Sequence, residues 1–368
     1  MGRIGIDATS VAADGKGISR VQLEAVRQLA ALGLPHELVA FTRTAEAAAL
    51  VQAAGARAVP ALHPVSIAWE QLGIPLAARR ERLDVLLATT DRLPVLPACP
   101  VVTWLYEVPT HRMEQNRLHG AGAYQRLADG LTRLLWRRSV RVAAVVCAGS
   151  HATARELAGE VPGASGKLKV VHPGLDPSFS PGPGPAGRGR YALHIATSDP
   201  RDNTETALQA YALARPRLAQ PLPLLLPGGV GRREGAVRAE IARLGLEGDV
   251  ELLGRVSDAE LVELYRGAAA YIDPTLFEGF GYQVLEAMAC GAPVIASGTT
   301  SIPEIAEGAG LLCDPASPAA FADALVRVLE EPGLAEGMRE RGLARAQEFT
   351  WERAAQALAG ALEEAMAA

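Results

Sequence analysis

Between Pro173 and Arg190 the chain carries five prolines and five glycines in 18 positions, too many breakers for any regular element. On both sides of that stretch the same grammar repeats: a short β-branched or aliphatic run, a polar or glycine-bearing loop, then apolar residues at helical spacing. Alternation of this kind gives a parallel sheet covered by helices. The chain therefore reads as two facing α/β domains with a hinge between them. Its 368 residues agree, because one hydrophobic core stops growing at about 250–300 residues.

The first half predicts strands at Arg3 to Thr9, Glu37 to Thr42, Val85 to Ala88, Val101 to Leu105 and Val142 to Ala148. After Gly17, Ile18, Val21, Ala25, Leu29 and Leu32 fall at helical spacing, and another helix opens at Ser150 and Thr153. Beyond the linker, strands are predicted at Tyr191 to Ala196, Pro223 to Leu226, Val250 to Leu253, Ala268 to Ile272 and Pro293 to Ala296, with a helix over Thr204 to Ala214. The boundaries follow as 1–175 and 188–349. Residues 350–368 form an amphipathic helix able to pack on either domain, the first included.

Composition excludes several classes. Acidic residues outnumber basic ones by 41 to 36, against the clustered positive excess that nucleic-acid binding needs. Only Lys16, Lys167 and Lys169 are lysines. Cys99, Cys147, Cys290 and Cys313 lie far apart in apolar surroundings without C-x-x-C spacing, which predicts reduced thiols of a cytoplasmic protein and no metal site. The N-terminus enters a strand directly and lacks a signal peptide's apolar core, and no apolar run reaches the ~20 residues of a membrane span.

The stretch from Asp273 to Pro315 carries the chemistry. A strand ends near Ile272, a loop holds Glu278 to Gly281, and a helix runs from about Tyr282 to Cys290 with Gly291 as its C-cap. Carboxylates accept paired hydrogen bonds from vicinal hydroxyls, while Gly279 and Gly281 let N–H groups of the helix start approach a diphosphate. Both ends of a nucleotide sugar are then matched. The same residues also read as an acidic helix start favoured by the macrodipole, with Glu286 solvated.

The run E-G-F-G-x-x-V-L-E-A-M-A-C-G-x-P-V-I-A-S, with Glu278 and Glu286 at its carboxylate positions, resembles the signature of retaining glycosyltransferases of family four. I-D-A-T…G-K-G-I-S-R, V-V-H-P-G-L-D-P-S-F, D-P-R-D-N-T-E-T-A-L, L-L-G-R-V-S-D-A-E-L-V-E-L-Y and F-T-W-E-R-A-A resemble it in order, covering nearly the whole chain. The resemblance implies a GT-B architecture: two Rossmann-like domains facing a central cleft, with the nucleotide-sugar donor on the C-terminal one, the acceptor on the N-terminal one, and no cofactor or metal. By carry-over, Glu286 takes the ribose hydroxyls and Glu278 those of the donor sugar. The backbone of Phe280, Gly281, Tyr282, Gln283 and Val284, beside Gly279, takes the sugar and diphosphate, and Val256 borders the base. Gly15 and Gly17 match the N-terminal loop that nears the distal phosphate on closure, where backbone N–H groups form an anion nest; an ordinary turn is the plainer reading. Neither the Walker nor the dinucleotide pattern is met, because Ser10 and Arg20 stand where glycines are required.

Two departures stand out. Many members place an Arg and a Lys on the diphosphate in a pattern like G-R…R-K-N, where this chain reads I-A-T-S-D-P-R-D-N, so Ala196-Thr197 and Asp202 replace the expected bases. Arg201 is the foremost substitute by its bidentate fork, with Arg232 and Arg233 in a suitable region, and a solvated surface Arg as the alternative. In the acceptor domain Leu105-Tyr106 replaces the His-Asp that often follows V-V-T, leaving Tyr106, Glu107 and His111 as acceptor-side candidates; Glu107 would orient a hydroxyl, or be a plain loop carboxylate. Arg126, Arg133, Arg137 and Arg141 form a stripe beside Leu134, Leu135 and Trp136 that would suit the inner membrane face and a lipid-linked acceptor; a solvated helix face is the plainer reading. Ser301 to Glu304 reads as a helix N-cap with Pro in the first turn.

The function implied is a retaining transferase moving a hexose from a nucleoside diphosphate sugar to a hydroxyl of a glycan, lipid-linked sugar or small metabolite. A degenerate homologue that binds a nucleotide sugar or a partner enzyme is the alternative, raised by the missing basic pair. A hydrolase using Glu278 and Glu286 is weaker, because two carboxylates addressing different parts of one ligand do not flank a bond.

Overall fold

A computed structural model describes residues 2–13, 15, 17–61, 66–111, 123–182 and 189–368. Asp14, Lys16 and residues 183–188 of the Pro/Gly stretch lie outside that set. The chain divides into two compact units, Met1–Gly174 with Thr350–Ala368, and Leu175–Phe349.

The first unit is built on β1 (Arg3–Asp7), β2 (Glu37–Thr42), β3 (Arg57–Pro60), β4 (Val85–Ala88), β5 (Val101–Leu105), β6 (Val145–Ala148) and β7 (Leu168–Val170). They pair in parallel in the order β3-β2-β1-β4-β5-β6-β7. Central strands are buried on both faces, which is why β4 reads as an unbroken apolar run and β5 as one interrupted only by Thr103. The sequence misses β3 and β7, short edge strands with little buried surface to pattern them. Val142, assigned to a strand from sequence, ends the helix Ala123–Val142 instead; an apolar run cannot distinguish a buried helix end from a strand start.

The closing helix Trp351–Ala367, capped by the Thr350 side chain, packs in this unit against the helix Ile18–Ala31 and strands β4 to β6. Trp351, Leu358 and Leu362 join Ile4, Val85, Val102 and Val145 in one core cluster. A Cβ on Gly174 would meet the Trp351 nitrogen at 2.3 Å, so the chain's exit from this unit lies flush against its return.

The second unit has β8 (Tyr191–Leu193), β9 (Leu224–Pro227), β10 (Val250–Gly254), β11 (Ala268–Asp273), β12 (Val294–Ser297) and β13 (Leu311–Cys313), parallel in the order β10-β9-β8-β11-β12-β13. Residues from Leu175 onward belong to it: Leu175 N–H donates to the Phe349 carbonyl, and Phe179 is buried edge-on against Tyr265. Edge strand β13 was not legible in the sequence. Among the described residues no helix is long and apolar enough to cross a membrane.

Candidate functional site

The second sheet reverses its winding between β8 and β11, and in such sheets ligands occupy the crevice outside the carboxyl ends of the strands at that reversal. Buried His194, just past β8, fastens the two ends: its Nδ1–H donates to the Ile272 carbonyl at 2.9 Å and its Nε2 accepts from the Thr204 hydroxyl at 3.1 Å. Burial lowers the imidazole to about 4, so the ring is neutral and its tautomer is set by those two bonds.

The loop after β8 holds the departures noted above. Asp202 turns inward and accepts the Thr197 N–H at 2.8 Å as well as the Thr197 hydroxyl, so the two positions of the expected bases close on each other. Burial pushes the Asp202 carboxyl up to about 6 despite those bonds. Arg201 is held by Asp199, with Nε at 3.0 Å and Nη2 at 2.9 Å from Oδ2, and its guanidinium lies 5.8 Å from the Phe277 ring centroid. The Arg201 carbonyl accepts from Thr275 Oγ1 at 3.1 Å and Leu276 N–H at 2.8 Å, which ties this loop to the one after β11.

That second loop runs from Asp273 to Gly281. Buried Asp273 accepts from Thr275 N–H and the Tyr271 hydroxyl; desolvation, with the Asp202 charge adding to it, pushes its carboxyl up to about 7. Glu278 is partly buried, and its main chain is gripped on both sides from the loop after β12: its N–H donates to Thr300 Oγ1 at 3.2 Å and its carbonyl accepts from Ser301 Oγ at 2.9 Å. Ser301 therefore does not cap the short helix Ile302–Ile305 as the sequence predicts; its hydroxyl serves the Glu278 carbonyl.

Gly281 caps the helix Tyr282–Cys290 in the left-handed region at φ 104° and, as glycine, brings no capping side chain of its own. A Cβ there would lie 2.7 Å from Ile302 Cδ1, so only glycine lets the loop enter the helix at this angle. Phe280 and Val284 are buried, Phe280 packing edge-on against Tyr282 and Phe349, so only their backbones are available to a ligand. The Tyr271 hydroxyl shares its one proton between Asp273 Oδ2 at 3.2 Å and Gln283 Oε1 at 3.0 Å, and Glu286 Oε2 accepts from the Tyr265 hydroxyl at 3.4 Å. Partly buried Val256 lies just past β10, ahead of the Ser257–Glu260 capping box. The second unit thus gathers Arg201, Glu278 to Val284 and Glu286 at one sheet end: a cation, carboxylates and a glycine-capped helix start, the groups that diphosphates and sugar hydroxyls need.

The remaining candidates lie in the first unit. Gly17, at φ 56°, precedes the helix Ile18–Ala31 without a side-chain cap, and a Cβ on Gly15 would overlap Ser19 Oγ at 1.8 Å. Tyr106 packs on Trp104, its carbonyl accepting the Thr153 hydroxyl at 3.0 Å; Glu107 is partly buried in the bend after β5, and His111 pairs with Glu156. In the arginine stripe, Arg126, Arg133 and Arg141 are exposed, while Arg137 pairs with Glu160 and covers the Trp136 ring at 4.6 Å. The sequence missed Thr300 and His194 and gave Ser301 only a capping role; all three bond to segments distant in the chain or across a loop.

Two family descriptions match in tandem: Glycosyltransferase Family 4 over residues 15–179 and Glycosyl transferases group 1 over residues 179–345. The chain belongs to glycosyltransferase family 4. Among curated relatives, O-antigen chain mannosyltransferase B of Escherichia coli is 39% identical over 162 residues, 44% of this chain and 42% of that protein. A D-inositol 3-phosphate glycosyltransferase of Acidothermus cellulolyticus is 30% identical over 266 residues, 66% of this chain and 59% of that protein. The matches thus span about half the length of these relatives. The fold is that of solved GT-B members. Anabaena Alr3699/HepE, crystallised with UDP and glucose, superposes with a TM-score of 0.71 at 18% identity, covering 99% of this chain and 100% of that one. Sucrose-phosphate synthase of Thermosynechococcus elongatus gives 0.74 at 18% identity, covering 98% of each.

Proposed function

We propose that this family 4 member is a retaining, metal-independent glycosyltransferase, moving a hexose from a nucleoside diphosphate sugar to a hydroxyl of a glycan, lipid-linked sugar or small metabolite. The observation that carries the reading is the second unit's switch-point site, where the Glu278–Gly281 loop feeds a glycine-capped helix start with Glu286 one turn inside it. Glu286 holds the ribose hydroxyls, Glu278 the sugar hydroxyls, and the Gly281–Val284 backbone with Arg201 the diphosphate. A related structure was solved with UDP-glucose, which supports a donor of that class.

No protein nucleophile is needed. The bond from the anomeric carbon to the diphosphate breaks while the acceptor oxygen bonds that carbon on the same face, and the acceptor proton passes to a leaving phosphate oxygen. Negative charge grows on the diphosphate, so fixed positive groups there lower the barrier. Tyr106, Glu107 and His111 are the acceptor-side candidates in the first unit, with Gly15 and Gly17 as further donors of backbone N–H groups.

One observation favours a second reading, a non-catalytic nucleotide-sugar binder: buried Asp202 stands where the family pattern has a base. Calorimetry with UDP-, GDP-, ADP- and dTDP-sugars, with Glu286→Ala as control, separates them. Binding lost in Glu286→Ala, with transfer or slow donor hydrolysis giving the donor's own anomer, supports the transferase. Binding without turnover selects the second reading, and no binding of any donor removes both.

A further inference from the structure

We propose that Arg233, joined to Arg201 through Asp199, supplies the second positive charge of the diphosphate site in place of the base missing at Asp202. This rests on the donor-site reading above and names the residue that completes it. The Asp202 carboxyl is spent on Thr197 and buried, so neither of those positions offers a cation.

The neighbouring strand supplies one. The loop after β9 presses against the loop after β8 so closely that a Cβ on Gly228 would sit 2.1 Å from the Ala196 carbonyl oxygen, and Gly228 holds φ 121°. The approach carries the turn Gly231–Arg233 to the arginine loop. There Arg233 Nη1 donates to the Asp199 carbonyl at 3.0 Å, while the Asp199 side chain holds Arg201. One residue thus fixes two guanidinium groups, one through its main chain and one through its carboxylate.

Arg233 Nη2 also bonds both carboxylate oxygens of Glu205, in the first turn of the helix Thr204–Ala214. Those bonds leave N–H donors, since a guanidinium has five. Glu205 is 43% exposed, so it can swing into water and yield to a phosphate, whereas Arg233 is 19% exposed and anchored by the Asp199 carbonyl. Arg233 then meets the phosphates from the loop after β9 and Arg201 from the loop after β8. A planar fork suits each role better than an ammonium would.

The test is calorimetric binding of UDP, GDP and ADP, of the matching monophosphates, and of inorganic pyrophosphate to the wild type, Arg233→Ala and Glu205→Gln. Loss of a charge-assisted bond to phosphate predicts about tenfold or more weaker diphosphate binding in Arg233→Ala, with the matching monophosphate changing by only about twofold. Glu205→Gln frees Arg233 and should bind the diphosphate at least as tightly as wild type. Arg233→Ala binding the diphosphate like wild type would overturn the proposal. So would equal weakening by Glu205→Gln, which would mark the ion pair as structural only. If the wild type binds no nucleoside diphosphate, the donor-site reading fails and this inference with it.

Discussion

The Ser301 hydroxyl donates to the main-chain carbonyl of Glu278 at 2.9 Å, across 23 residues of chain. Ser301 is fully buried, so its bond cannot be exchanged for one to water. Thr300 accepts the N–H of the same residue from a left-handed backbone at φ 57°, a costly conformation for a β-branched residue. Strain persists where surrounding structure pays for it, and here it aims the candidate sugar-binding carboxylate. Ser301→Ala should destabilise the protein by about 1 kcal/mol, the net worth of one part-buried hydrogen bond. It should lower donor turnover more than donor affinity. Steady-state kinetics and urea melts decide it, and an unchanged turnover number would remove Ser301 from the positioning of Glu278.

Gly281→Ala tests the helix start. The new methyl would meet Ile302 Cδ1 at 2.7 Å on a backbone at φ 104°, and both effects force the loop to shift. A stability loss of about 1–3 kcal/mol is expected from the strained backbone. Because the shift re-aims the first N–H groups of the helix, nucleoside diphosphate affinity should fall at a temperature where the variant remains folded. Calorimetry beside a thermal melt measures both, and full affinity in a folded variant would clear the helix start of phosphate contact.

The buried carboxyls of the second unit predict a stability profile of definite sign. Asp273 rises from an ordinary 3.8 to about 7 and Asp202 to about 6, in each case chiefly by burial. Between about pH 4 and 7 the folded protein therefore holds protons that the unfolded chain has released, and stability falls as pH rises through that window. Asp273→Asn keeps an oxygen acceptor without a charge, so its melting temperature should vary less with pH and exceed the wild type's above about pH 7. Parallel wild-type and variant profiles would contradict burial as the source of the shift.

All four tryptophans, at 69, 104, 136 and 351, lie in the first unit, so their fluorescence follows that unit alone. Leu362, fully buried there, belongs to the returning C-terminal helix. Leu362→Ala should lower the stability seen by tryptophan fluorescence by about 2–5 kcal/mol, as cavities in a packed core do. Removing residues 350–368 should leave a first unit that no longer gives a cooperative fluorescence transition. An unshifted transition in Leu362→Ala would mean that the helix does not complete this core.

Legibility followed burial. Central strands such as β2, β4 and β5 are patterned by two covered faces and were legible to the residue, whereas edge strands β3 and β7 carry little apolar signal and edge strand β13 is only three residues long; edge strand β10 was legible all the same. The helix Tyr282–Cys290 was legible because glycines bound it on both sides in left-handed conformations. Glu278 and Glu286 were legible as a spaced pair inside a family pattern, and so was the absence of a base at Asp202. Ser301 was misread because its local context spells a helix cap, and its partner lies in a loop 23 residues away.

Sequence alone determined the alternating grammar, the breaker-rich stretch from Pro173 to Arg190, and which residue types stand after β8 and β11, since periodicity, turn chemistry and motif spacing are local properties. Tertiary structure decided where the last helix packs, which carbonyl Ser301 serves, and that Asp202 closes on Thr197 while Asp199 joins Arg201 to Arg233. Each of those outcomes is a competition among partners for a buried hydrogen bond or an apolar face. Such competitions are settled only when the parallel strands bring their loops to one end of the sheet.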